Sequence, residues 1–522
     1  MNPTPKNESG WRIVPTLLVW LALFILIVLV QTVRGFMQAQ AEGLSDSLQI
    51  FLQAAIGASL WFPALGLWWL ARRAVRGCSW RRAGIGLAGF VVLVVLFYAE
   101  EDWRGWHAWK NCQREIEAKG TVLDWDKLIP PSVPDDQNFF KAPKMAEWFV
   151  RNRLSNTNEL LERLRNPDTV ATNLNATAAA KYLAWSARFE PEFNLLREAL
   201  KRPYARMDGD YSKPYEQPIP NFVAVRVVAQ TLAQRAKCNL LLGQPDRALA
   251  DLTLLHDMCR LLEGAPTGKP MTLVAAMINV AVTGLYVDTL ADGFQKNAWQ
   301  PPQLVALQKQ LAEINLNPWV LHALQQESAA MCRTADIAWI PKLFDMRGTT
   351  KWTTKVVWWF WPRGWTYQNM VNVVMMEQKP MSGFDLANDT VAPRKFEAAN
   401  REVQMFLGHW SPYRLLAAIA VPNFTKAWQT TVHHQTLANE AQIACALERY
   451  HLAQSAYPET LDALVPQFIE KLPHDLIGGE PLQYRRTVGG KFLLYSVGWN
   501  ETDDGGLPGT LADVKKGDWV WQ

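Results

Sequence analysis

The chain has 522 residues, room for two or three domains, with 53 Lys and Arg against 49 Asp and Glu and a net charge of +4. Eight of those basic residues and three of the acidic ones fall in positions 1–99, so the remainder is close to neutral. A nucleic-acid binder needs a basic soluble part, and that class is excluded.

Residues 1–99 read as a membrane domain with three transmembrane helices, 13–33, 48–71 and 84–99. Ile13 to Val33 is a run of 21 residues without a charge, about 31 Å as a helix and enough to cross the hydrocarbon core. Leu48 to Ala71 is a second run, interrupted by Gln49, Gln53 and Pro63 but uncharged. The third, "GIGLAGFVVLVVLFYA", has 16 residues and spans only about 24 Å, so it calls for local thinning or for anchoring by Tyr98 and Trp103 at the interface. The loop "RRAVRGCSWRR" between the second and third runs holds five arginines and no acid. The positive-inside rule places it in the cytoplasm. The expected topology is a multi-pass protein of the inner membrane with a cytoplasmic N-terminus and everything after residue 99 in the periplasm. A rival reading takes "AQA" at Ala39 to Ala41 as a signal-peptidase site, but the preceding apolar run is longer than a signal peptide needs. Both put the large domain on the same side.

Residues 100–140 form a stem and a Pro-rich connector. "NCQREIEAKG" is charged and closes on a glycine, as a helix terminus does. The three prolines of "LIPPSVPDDQNFF" predict an exposed connector over Leu128 to Phe140. Residues 141–421 read as a helical domain. "NATAAAKYLAWSARF", "PEFNLLREALKRPYARM" and "FVAVRVVAQTLAQRAKCNLLLG" are successive helices, and the last turns at Gly243 and Pro245 into another. That turn resembles a tetratricopeptide helical pair, but there is one such unit and no 34-residue period. Leu273 to Leu290 is apolar enough to suggest a fourth span; Asn279, Thr283 and Asp288 within it favour a buried helix. "VVWWFWPRGWTY", Val356 to Tyr367, gathers Trp358, Trp359, Trp361 and Trp365 beside Pro362. Two readings stand: a core corner in which each indole N–H finds a partner, or a patch resting on the bilayer.

Catalytic signatures are missing from the sequence: there is no G-x-S-x-G, H-E-x-x-H, Walker loop, or G-x-G-x-x-G after a strand. His433 and His434 are neighbours, so on a helix they point about 100° apart and share a metal poorly. Cys78 falls in the arginine loop, while Cys112, Cys238, Cys259, Cys332 and Cys445 fall beyond the membrane segment. None has zinc spacing, and they read as small buried hydrophobes. No enzyme activity is expected.

The tail from Asn439 to Gly506 differs in character. A long helix carries Leu447, Tyr450 and Leu452, followed by Tyr457-Pro458, "LDALV", then Leu472, Pro473 and Asp475. "PLQYRR" and "KFLLYSVG" are strand-like runs separated by "TVGG", a hairpin signal. Ile443, Leu447 and Tyr450 share one helical face and would pack on that small sheet. This order of landmarks, closing on Tyr495, Ser496 and Gly498, resembles the soluble domain of the type II secretion major pseudopilins. The whole chain also resembles uncharacterised bacterial membrane-anchored proteins that share the tail. The expected fold class is therefore mainly α: three transmembrane helices, a helical-hairpin extracytoplasmic domain, and a small C-terminal α+β pseudopilin-like domain over 422–522.

In pseudopilins the loop corresponding to "NETDDGG" resembles a calcium site, and calcium asks for six to eight oxygens. The resemblance implies Asn500, Asp503, Asp504 and Asp513 as metal ligands. Asn500 stands where the family usually has aspartate, and the later carboxylates are spaced differently. A metal-free turn, with the glycines supplying positive φ, is the competing reading. The chain also departs from pilins proper: its first apolar helix has no glutamate at the fifth position, and the pilin-like part comes some 400 residues later, so it cannot polymerise through that helix in the usual way. The function expected is a membrane-anchored binding or assembly protein of the cell envelope, possessing a link to secretion or pilus-like machinery through the tail resemblance, with the lipid bilayer and other envelope proteins as partners. The alternative is a hydrolase-like envelope enzyme without a recognisable motif.

Overall fold

The computed structural model describes residues 80–151, 159–164, 175–214, 216–262, 272–344, 360–409, 411–509 and 515–521. The expected spans 13–33 and 48–71, Cys78, Trp358, Trp359 and Asp513 lie outside the described residues. The chain divides into two compact units, Met1–Glu101 with Thr349–Trp361, and Asp102–Gly348 with Pro362–Gln522.

The first helix, α1 (Trp80–Ala118), is a single run of 39 residues. Its apolar part, Ile85 to Phe97, is exposed along almost its whole length. Glu100, Glu101 and Asp102 end that stretch, and the sequence then turns amphipathic. Trp109, Cys112 and Ile116 are buried at helical spacing while the positions between them stay polar. Two described helices are long and apolar enough to cross a membrane. They differ in surroundings: 6% of the most apolar stretch in Gly84–Ala118 is buried, against 56% of that in Leu273–Gln295. The second is the helix that Asn279 and Thr283 marked as a core element; both side chains are buried in it.

The large unit is mainly helical. After α1 come α2 (Met145–Phe149), α3 (Glu159–Leu164), α4 (Ala176–Ser186) and α5 (Glu190–Leu200). The expected helix over "PEFNLLREALKRPYARM" stops at Leu200, because Pro203 cannot continue it. Next are α6 (Phe222–Leu241), α7 (Pro245–Met258), α8 (Leu273–Gln295), α9 (Pro301–Glu313), α10 (Leu316–Phe344), α11 (Arg363–Gln378) and α12 (Pro393–Leu407). The α6–α7 hairpin closes as its sequence foretold: Gly243 takes φ +68°, and Pro245 opens α7, where its missing N–H costs nothing.

One expectation is overturned in part. The Leu128–Phe140 connector is exposed over much of Pro131 to Gln137, but Asn138, Phe139 and Phe140 are buried. Prolines prevent regular structure without preventing burial. Here two phenylalanines enter the main core, and Asn138 satisfies the irregular backbone. Its amide donates to the Arg206 carbonyl at 2.7 Å, and its carbonyl oxygen accepts from the N–H groups of Arg206 and Phe140 at 3.1 and 3.2 Å.

The last helix, α13 (Leu415–Gln454), is 40 residues long and organises the unit. It packs against α8, α9, α10 and α11, and its later turns also meet a three-stranded antiparallel sheet. That sheet has the order β3 (Gln483–Arg486), β4 (Phe492–Ser496), β5 (Trp519–Val520); a separate two-stranded ribbon pairs β1 (Phe384–Asp385) with β2 (Thr390–Val391). Such surroundings bury α13 on several faces, so its polar residues must be satisfied locally. Thr431 and Thr436 donate to the carbonyls four residues back, at 2.8 and 2.9 Å. The expected 421/422 boundary falls within this helix. Ile443, Leu447, Leu464, Leu482 and Leu494 form a core under the sheet, with Tyr450 packed against it. A 3₁₀ turn covers Leu461–Leu464, and the β3–β4 turn closes through Thr487 and Gly490.

Candidate functional site

The loop after β4 begins where Gly498 adopts φ +68° and Trp499 turns inward, its indole donating to Glu397 at 3.0 Å. Glu501 is held outside the loop by Arg394, at 2.8 Å. Asn500, Asp503 and Asp504 are then brought together. The Asn500 amide donates to Asp504 at 2.8 Å, while its carbonyl oxygen accepts from the Thr502 N–H at 3.0 Å. Asp503 accepts from the Tyr495 hydroxyl at 3.0 Å and from the Gly505 N–H at 2.8 Å. Gly505 and Gly506 sit at φ +74° and +81°. This is the left-handed region in which glycine is favoured.

A residue missed by sequence reading completes the loop. Asp518, buried beside β5, accepts from the N–H groups of Asp504 at 3.1 Å and Gly506 at 2.7 Å. Burial raises its carboxyl above the usual range, the two N–H groups oppose that shift, and the neighbouring Asp504 and Asp503 add to it. Both Asp518 oxygens are thus committed to backbone donors, and Asn500 turns its amide nitrogen toward Asp504. Among the described residues no group of three or more His, Cys, Asp and Glu is placed to hold a metal ion.

A second cluster lies where α13 meets the sheet. Glu440, Asp475 and Ser496 are all buried. The Ser496 hydroxyl donates to Asp475 at 2.7 Å, and its N–H donates to Glu440 at 3.1 Å. Asp475 also accepts from the N–H groups of Ile477 at 2.9 Å and Val497 at 3.2 Å. Burial pushes both carboxyls up, and Asp475 adds to the shift of Glu440. Among the described residues Glu440 Oε2 has no hydrogen-bond partner. Asp475 and Ser496 belong to the sequence landmarks of the tail; Glu440 carried no sequence signal, since a glutamate on a helix is ordinarily a solvated one.

Elsewhere, His256 sits 3.4 Å from Asp257 and 4.0 Å from Glu313 in a cleft also lined by Cys259, Asn279 and Thr283. The cleft leaves about 30 Å³, room for a water molecule, as does a second one beside Arg206 and Tyr211. The His433 and His434 rings stand 5.2 Å apart at 85°, and burial takes His433 down to about 4. Cys112, Cys238, Cys332 and Cys445 are buried thiols and Cys259 is half-buried. Comparison with families of known proteins, with curated proteins and with solved structures returns no match.

Proposed function

We propose that this protein is a membrane-anchored binding or assembly component of the cell envelope, with three spans, a cytoplasmic N-terminus and a periplasmic helical body. The observation that carries the reading is α1. One unbroken helix passes from an exposed apolar stretch over Ile85 to Phe97 into a half that is buried in the body through Trp109, Cys112 and Ile116. A soluble protein gains nothing from exposing such a run, whereas a bilayer covers it. The five-arginine loop before it sets the direction. Alkaline phosphatase fused after Lys119 is expected to be active, and fused after Arg76 inactive. The reverse pattern would invert the topology; activity at both sites would remove the span.

The pseudopilin-like reading of the tail is supported by the way its landmarks meet. A long helix packs on a three-stranded antiparallel sheet, Tyr457 donates to Glu448 at 2.6 Å at the helix end, and Asp475 and Ser496 are bonded to each other. Along its length α13 packs against other helices of the same chain, which stand where a pilin helix would meet its neighbours in a filament. An assembly role would then use the outer surface of the body and the loop, not helix-mediated polymerisation. The same web of hydrogen bonds that closes the Asn500–Gly506 loop supports the metal-free turn over the calcium reading.

A further inference from the structure

We infer that the turn at Phe360 and Trp361 is inserted at the boundary between lipid headgroups and acyl chains, as an anchor beside the α1 span. This inference rests on the reading of 84–99 as a membrane span. Within the smaller unit, the Tyr98 hydroxyl donates to the Phe360 carbonyl at 2.5 Å. Tyr98 is the last residue but one of the apolar stretch, and the charges of Glu100, Glu101 and Asp102 fix the hydrocarbon boundary just beyond it. Side chains of an α-helix lean toward its N-terminus. On α1 that direction runs into the membrane, so the Tyr98 hydroxyl reaches deeper than its own backbone. Phe360 meets it there, at or inside the boundary. Its ring is nonetheless 60% exposed, which water would penalise and acyl chains would not. Trp361 beside it is half-buried, a residue type favoured where an apolar layer meets a polar one. For Phe360 and Trp361, of the two readings open, the geometry favours the bilayer.

The large unit's own part of α1 carries an independent sign of the same layer. Trp103 lies four residues past Ala99, about 6 Å further along the axis, and is 64% exposed. The headgroup layer of one leaflet is about 5–7 Å thick. An exposed indole at that depth is an interfacial anchor.

The test uses the full-length protein in vesicles of phosphatidylcholine and phosphatidylglycerol. Spin labels are attached at Val92→Cys in the span, at Phe360→Cys, and at Val488→Cys in the exposed β3–β4 turn, with the unsubstituted protein labelled in parallel as background. Relaxation by oxygen, which partitions into lipid, is compared with relaxation by a water-soluble nickel chelate. The oxygen-to-chelate ratio at Phe360→Cys is expected to be several-fold above that at Val488→Cys and to fall on the side of Val92→Cys. If Val92→Cys favours oxygen while Phe360→Cys matches Val488→Cys, the inference is overturned and the span survives. If Val92→Cys itself favours the chelate, the span is lost, and the inference with it.

Discussion

Buried carboxylates are handled in two ways in this molecule. In the helical hairpin, Asp251 of α7 is 1% exposed and lies 3.1 and 3.2 Å from the Arg235 guanidinium of α6. Arg235 also reaches Glu190 at 2.9 Å and the Ser186 carbonyl at 3.2 Å, and Asn239 donates to Asp251 at 3.1 Å. Burial lifts Asp251 to about 6, against the pull of Arg235, so it is ionised at neutral pH. At the junction of α13 and the sheet, Glu440 accepts from a backbone N–H, and its other oxygen has no partner among the described residues. One region pairs its carboxylate with a cation; the other buries one that accepts from a backbone N–H, and burial raises its carboxyl. The first is fragile toward loss of its cation. The second has no cation to lose, and a carboxyl raised by burial gives stability that falls as pH rises.

The largest effect expected follows from breaking the pairing. Arg235→Met leaves Asp251 and Glu190 without their shared guanidinium and also removes the cation from the Phe193 ring, 5.0 Å away. The expected loss is about 3–5 kcal/mol, read by thermal or denaturant unfolding of the protein in detergent at neutral pH. A loss below about 1 kcal/mol, the scale of an exposed ion pair, would show that the hairpin is not held by this network.

The second case is sharpened by Glu377, buried on α11 and hydrogen-bonded by the Ser328 hydroxyl of α10. Burial pushes it up to about 8, opposed by that bond and helped by Glu327. A carboxyl whose folded value is raised gives its full stability below its unfolded value near 4.5, and loses it as pH climbs toward 8. From pH 4.5 to 7 this amounts to about 3 kcal/mol. Glu377→Gln, neutral throughout, is expected to flatten that part of the pH–stability curve, and Glu440→Gln to act in the same direction. Wild type and Glu377→Gln falling in parallel would mean that Glu377 ionises in the fold at no cost.

Local rules made much of this architecture readable in advance. Gly243 and Pro245 announce the α6–α7 turn because one needs positive φ and the other lacks an N–H. "TVGG" between two β-rich runs announces the hairpin. What stayed hidden depends on distance along the chain. Tyr98 and Phe360 are 262 residues apart, and nothing in either segment names the other. Asn138 to Phe140 read as exposed because prolines signal irregular backbone, and only the folded core shows that Asn138 can satisfy it. Within the candidate loop, the glycines and Asn500, Asp503 and Asp504 were legible as a group, whereas Asp518 was not. Its role is to receive N–H groups 12 and 14 residues earlier, and a lone aspartate before a two-residue strand gives no sign of that.

The loop itself offers the smallest effect and the cleanest division. If Asn500, Asp503 and Asp504 form a calcium site, removing the ion leaves carboxylates facing one another, and calcium at a hundredfold excess over its dissociation constant stabilises by about 2.7 kcal/mol. If the hydrogen bonds described above shape the loop without metal, melting curves of the chelated protein with and without millimolar calcium coincide. The second outcome is expected. Two substitutions tell an inert loop from a structured one. Asp518→Ala strands the N–H groups of Asp504 and Gly506, at a cost of about 1–3 kcal/mol. Gly505→Ala places a Cβ at φ +74°, where it meets nothing within 4 Å. Any destabilisation it causes is therefore backbone strain, about 1–2 kcal/mol. Both losses should be the same with calcium and with chelator. A calcium-dependent rise in melting temperature that Asp504→Ala abolishes would instead make the loop a calcium site.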